Sequence, residues 1–179
     1  GSEMCIRDRL VTDDSGQTTT TNVTVNVNPV ADAPNLAGTT GVGGNVTLAI
    51  VTTNEDTAVI LGLKAPRVID AIDQNGNTGD SPERLGVISL SGIPAGAALL
   101  SGTDATLFTS NGGNISIWLS DVNHPTDETK PANALEMTSA QFEALRVLPP
   151  AESHANFTVT VSVTSYEVDD NGAKVSGVN

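Results

Sequence analysis

Apolar and polar residues alternate along Phe157–Ser165, where Phe157, Val159, Val161 and Val163 are interleaved with Thr158, Thr160, Ser162 and Thr164. That period of two, with β-branched residues at most positions, predicts a half-buried strand. Val168-Asp169-Asp170-Asn171-Gly172 follows, and Asn and Gly there tolerate the positive φ of a tight hairpin turn. The same grammar appears near the start. Val11-Thr12-Asp13-Asp14-Ser15-Gly16 leads into Thr18–Asn28, which carries Val23, Val25 and Val27 on one face. Aligning Asp13 with Asp169 gives an offset of 156 residues. The pattern predicts one repeat of a tandem array, entered at the end of one module and left near the end of the next.

Between these stretches, Val46–Thr52, Thr57–Leu63, Leu85–Leu90, Thr106–Thr109 and Asn114–Ser120 read as short strands or apolar runs. In the last of them Ile115, Ile117 and Leu119 share a face, and Trp118 falls on the other. Asp70–Glu83 reads as a long acidic loop, Gly92–Ala97 as a turn, and Asn123–Asn133, with two prolines, as a polar loop. Met137–Leu145 is the one helix signal: Thr138 suits the N-cap, Gln141 completes a capping box, and Met137 and Phe142 suit a hydrophobic staple. Pro149-Pro150 closes off the strand that follows the helix. The sum predicts an all-β fold, an antiparallel β-sandwich with one short helix.

Asn28-Pro29-Val30-Ala31-Asp32-Ala33-Pro34-Asn35 forms a stiff linker, because two prolines fix φ and restrict the residues before them. The expected organisation is then a closing hairpin strand of a preceding module over residues 10–28, a linker over 29–35, and one sandwich module over 36–179 lacking its last strand. A missing strand leaves a sheet edge open, and Thr18–Asn28 is a candidate to fill it as a donated strand. Gly1–Arg9 has no strand or helix period and resembles the translated end of a sequencing adapter, so it is set aside as a non-native segment.

Composition narrows the partners. A net charge of −13 repels nucleic acid and anionic membrane surfaces, and no run approaches the ~18 apolar residues of a membrane span. Cys5 is the sole cysteine, so disulfides do not stabilise the fold. Carboxylates with few bases to pair them invite divalent cations, calcium first; a plain solvated acidic surface is the alternative.

Asn28–Pro34 resembles the linker between tandem immunoglobulin- or cadherin-like modules of very large bacterial adhesins, the repeats-in-toxin type secreted by the type I route. Asn54-Glu55-Asp56-Thr57 is similar to the opening of such a module. So, in order, are Asp80–Leu85, Ser91–Ala97, Thr138–Phe142 before Leu148-Pro149-Pro150, and Phe157–Val161. The resemblance covers roughly residues 28 to 172. It implies an immunoglobulin/cadherin-like sandwich that serves as a calcium-rigidified structural extender of an extracellular, cell-surface adhesin acting in adhesion and biofilm. Its partners would be neighbouring modules of the same chain. Two departures stand out: the long Asp70–Asp80 segment replaces a compact acidic turn, and Asn123–Asn133 looks like an insertion.

Calcium takes six to eight oxygens, and two clusters of residues could supply them. One is Asp32 with Glu55 and Asp56, joined by Asp169 or Asp170 if their turn folds back to the same end. The other is Asp70, Asp73, Asn75, Asp80 and Glu83. Neither has EF-hand spacing, and a solvated turn or loop is the alternative role for each. Catalysis is not expected: His124 and His154 fall on different loops, without metalloprotease or serine-elbow spacing. The rival function is a binding module for a surface glycan or protein ligand, using Asn123–Asn133 and Trp118. An extender would bury Trp118, and a glycan site would present it.

Overall fold

The computed structural model describes residues 9–12, 18–21, 34, 36, 50–68 and 82–175. Its elements in chain order are β1 (Arg9–Thr12), β2 (Thr18–Thr21), β3 (Val59–Ile60), β4 (Glu83–Ser91), β5 (Ala98–Leu100), β6 (Thr106–Thr109), β7 (Ile115–Leu119), β8 (Leu135–Met137), α1 (Ser139–Glu143), β9 (Arg146–Leu148) and β10 (Thr160–Glu167). β1 and β2 form a two-stranded antiparallel ribbon. The other strands form two four-stranded sheets, ordered β10-β4-β7-β8 and β3-β9-β5-β6. The described residues are therefore all-β with one short helix, as the alternation predicts.

Alternating burial builds one core from both sheets. Ile88 and Leu90 of β4, Ile115, Ile117 and Leu119 of β7 and Met137 of β8 join Leu99 of β5, Val147 of β9 and Phe142 of α1 in a single buried cluster. The helix is anchored by local chemistry. The Thr138 side chain accepts from the Gln141 backbone, the Gln141 side chain accepts from the Thr138 backbone, and Met137 and Phe142 are both buried on either side of the cap. Asp121 adds an acceptor for the Ser139 N–H at 2.7 Å. At the opposite margin, two-residue β3 is held by Arg146. That side chain donates to both Asp104 carboxylate oxygens at 2.6 and 2.7 Å and to the Ala58 carbonyl at 2.9 Å.

Three features depart from the sequence expectation. The first sheet is mixed, because β8 runs parallel to β7 with Ile117 opposite Leu135 and Leu119 opposite Met137. A parallel neighbour cannot be reached by a hairpin and needs a long crossover. Residues 120–134 are that crossover, which gives the polar loop at Asn123–Asn133 a topological reason. Secondly, the apolar run Thr57–Leu63 contributes only two strand residues, and residues 50–52 are irregular; residues 46–49 lie outside the described residues. Thirdly, Arg9, set aside with the preceding segment, is a strand residue opposite Thr21.

β4 carries a bulge. Register shifts where Gly86 and Val87 together oppose Thr164, and the buried positions change phase from Glu83 and Leu85 to Ile88 and Leu90. Glycine suits the bulge because a Cβ at Gly86 would sit 2.7 Å from the Tyr166 ring. Gly92, just beyond the strand, has φ +81°, and a Cβ there would collide with the Thr158 carbonyl oxygen. Gly92→Ala is therefore expected to destabilise the fold by roughly 2–4 kcal/mol through strain and clash together. Denaturant titration with an unchanged m-value checks this.

Candidate functional site

The sequence-predicted ligands divide between opposite ends of β4. Glu167 pairs with Glu83, and the Val168 N–H reaches the Pro82 carbonyl at 2.9 Å, so the Asp169–Gly172 turn lies at the Glu83 end. The Ser91 end leads through residues 92–97 into β5, where Ala98 pairs with Leu148. Glu152 follows β9 there, and its N–H donates to the Asp56 carboxylate at 3.1 Å. Glu55 and Asp56 thus sit at the Ser91 end, apart from Asp169 and Asp170. Glu83, grouped by sequence with the acidic loop, is instead beside the Asp169 turn. Asp32, Asp70, Asp73 and Asp80 lie outside the described residues, although in sequence the run Asp70–Asp80 leads into Pro82.

At the Glu83 end the crossover docks on the Asp169 turn. The Thr126 N–H donates to the Gly172 carbonyl at 2.8 Å, and the Lys174 N–H donates to the Asp127 carboxylate at 3.1 Å. The Lys174 ammonium lies 3.1 Å from Glu128 Oε2, an oxygen shielded from solvent, and 4.2 Å from the centre of the Tyr166 ring. Burial pulls the Lys174 ammonium down, but its hydrogen bond to Glu128 and the charges of Glu128, Tyr166 and Asp127 outweigh this and raise it above the ordinary lysine value.

The turn itself is an Asx motif. Asp169 Oδ1 accepts from the backbone N–H groups of Ala173 and Asn171, each at 2.9 Å. The Ala173 bond is the main cause holding this carboxyl below its ordinary value; a little desolvation opposes it, and the Asn171 bonds reinforce it. One oxygen of Asp169 therefore already serves the fold. Among the described residues, no three His, Cys, Asp or Glu side chains are grouped as ligands of a metal ion would be.

His124 locks the other side of the crossover. Its Nδ1 lies 2.6 Å from the Leu85 carbonyl of β4 and its Nε2 lies 2.8 Å from the Leu119 carbonyl of β7. The paired ladder between these strands covers Ile88–Leu90 and Ile115–Ile117, so the ring bridges them where pairing has stopped. A carbonyl only accepts, so both contacts are hydrogen bonds at once only when both ring nitrogens carry protons. Trp118 is half-buried and stacks on the same ring, with centroids 3.6 Å apart and planes 20° apart. His154, by contrast, is exposed.

Sequence reasoning singled out Trp118 and the crossover but not the roles of Asp127, Glu128, Tyr166 and Lys174. No spacing links residues 126–128 to 166–174; the crossover alone brings them together. Comparison with protein-family models, with curated proteins and with solved structures finds no match to this chain. Among the described residues no helix is long and apolar enough to cross a membrane.

A lowered carboxyl stabilises the fold above its unfolded-state value, and that contribution is lost as pH falls through the lower folded value. Asp169→Ala is therefore expected to lower the melting temperature at neutral pH and to shrink the acid-induced loss below the ordinary carboxylate range. Melting curves from neutral pH to strong acid would show it. Removing the bridging ring by His124→Ala takes away the group that lies between the Leu85 and Leu119 carbonyls and is expected to cost about 1–3 kcal/mol, with faster amide exchange confined to residues 120–134 and their neighbours.

Proposed function

We propose that this chain is a structural extender repeat, of immunoglobulin/cadherin-like architecture, from a large bacterial cell-surface adhesin, rigidified by calcium. One observation carries the reading. In the β1–β2 ribbon Val11 faces Thr19 and Thr12 faces Thr18. At an offset of 156 residues, the one that aligns Asp13 with Asp169, Val168 bridges to Lys174 and the Val175 N–H donates to the Glu167 carbonyl at 3.0 Å. Similar sequences, Asp-Asp-Ser-Gly at 13–16 and Asp-Asp-Asn-Gly at 169–172, separate paired residues of the same register at both places, as expected of tandem copies of one module.

The two-sheet core and the bridging position of His124 agree with a mechanical part. Both nitrogens of His124 lie against main-chain carbonyls, and its ring occupies one face of the half-buried Trp118 on which a sugar would stack. That arrangement favours the extender over the glycan- or protein-binding alternative. Calcium would convert the repulsion among carboxylates near the module ends into a fixed joint with the neighbouring module. Because Asp169 and Glu83 share one end and Glu55 and Asp56 the other, the acidic residues make two separate candidate ion positions. Asp70, Asp73 and Asp80 belong by sequence with the first, and Asp32 with the second.

An ion that binds only the folded chain raises its melting temperature with concentration. Calcium, but not magnesium, is expected to raise it, and chelator to reverse the rise. Asp73→Asn and Glu55→Gln would each remove part of the shift if both ends bind. Absence of any calcium-specific shift overturns the rigidified-extender reading.

A further inference from the structure

Asparagine is followed by glycine at Asn75-Gly76, Asn111-Gly112 and Asn171-Gly172. Such a pair can react with itself, because a glycine nitrogen, with no Cβ crowding it, can reach the carbonyl carbon of the preceding side chain. Asn75 lies outside the described residues; the fold treats the other two differently. Asn111 and Gly112 lie in the connection from β6 to β7 and are exposed. Asn111 Oδ1 accepts from the Gly113 N–H at 2.9 Å. The side-chain carbonyl is thus polarised by a backbone donor placed at the oxygen on which charge develops during attack. The Gly112 N–H donates at 3.0 Å to the hydroxyl of buried Ser110, which itself donates to the Ile93 carbonyl at 2.9 Å. In sequence no charged residue occurs between Asp104 and Asp121.

Asn171 is exposed too, but its surroundings oppose the same step. The Gly172 N–H is held by the Asp169 main-chain carbonyl at 2.8 Å. The Asp169 carboxylate accepts from the Asn171 backbone N–H at 2.9 Å and is hydrogen-bonded by the Asn171 side chain as well. A fixed negative charge beside the amide disfavours further negative charge on its oxygen or on the attacking nitrogen. Thr126 also clamps the pair from the crossover, its N–H on the Gly172 carbonyl at 2.8 Å and its hydroxyl on the Asn171 carbonyl at 3.3 Å.

We propose that Asn111 is a site of spontaneous deamidation in the folded chain. The Gly112 nitrogen loses its proton to solvent base and bonds to Asn111 Cγ. The side-chain amide nitrogen takes up a proton and leaves as ammonia, and a five-membered succinimide remains. One water molecule then opens the ring at either carbonyl, giving aspartate or isoaspartate. Isoaspartate lengthens the main chain by one carbon between two well-held points. Ser110 is tied to the preceding turn by its N–H on the Ala97 carbonyl and by the Gly96 N–H on its own carbonyl, each at 2.8 Å. Ile115, just beyond, pairs with Leu90. Either product also adds a carboxylate at the Ser91 end of β4, the end that carries Glu55 and Asp56. The inference goes beyond the extender reading and needs no bound ion.

The test incubates the full-length chain in mildly alkaline buffer, folded and, in parallel, unfolded in urea. Peptide mass spectrometry follows conversion of amide to acid at Asn111 and Asn171, and enzymatic methylation of isoaspartyl carboxylates distinguishes the two products. In the folded chain Asn111 is expected to convert about tenfold faster than Asn171, the worth of one oriented donor in an exposed setting. In urea, where only local sequence acts, the two rates are expected to draw together. The isoaspartyl fraction, separated by anion exchange, is expected to melt below the unconverted chain. Two results overturn the proposal: Asn111 converting no faster than Asn171 in the folded chain, or the same ratio of rates in urea, which would leave the fold no part in the selection.

Discussion

The parallel pairing of β7 with β8 is the constraint on which the arrangement of this molecule turns. Having left β7 at Leu119, the chain must return to a point level with Ile117 before it can run alongside in the same direction. Only a long connection can do so. That connection has to be held down, since its backbone lies outside any ladder. Two anchors hold it. His124 bridges carbonyls of β4 and β7, and residues 126–128 dock on the hairpin that follows β10. Asp127, Glu128, Tyr166 and Lys174 meet only because the crossover lies there.

Local chemistry was legible in the chain. The strand β10 could be read from its alternation, α1 from Thr138 and Gln141 with Met137 and Phe142 around them, and β7 from its three isoleucine and leucine positions. The three-residue strands β5 and β8 were not. Three residues span too short a stretch to display a period, and what makes them strands is burial against partners distant in sequence. The polar loop at Asn123–Asn133 was visible as a loop, but the direction of the strand after it was not. Composition does not distinguish a crossover from a hairpin insertion.

The candidate ligands show the same limit. Sequence proximity grouped Glu83 with Asp70–Asp80 and left open whether the Asp169 turn joined Glu55 and Asp56. In the fold, strand direction decides: antiparallel β10 delivers Asp169 to the start of β4, and β9 delivers Glu152 and Asp56 to its far end. Asp169 also proves to be a hydrogen-bond acceptor for its own turn backbone, a role that Asp and Asn have in turns generally.

The bulge in β4 bears on how such a molecule would carry load. Strands that are regular and share a simple Val/Thr repeat can creep past one another two residues at a time, re-forming equivalent pairs after each step. Here Gly86 and Val87 face Thr164 as a pair, with the Tyr166 ring lying over the glycine. A sliding step would carry a residue with a Cβ beneath that ring and set the inward row of β4 out of phase with its partner. Under tension the two strands are thus keyed like a notched joint. They resist shear by yielding all at once rather than by slow extension.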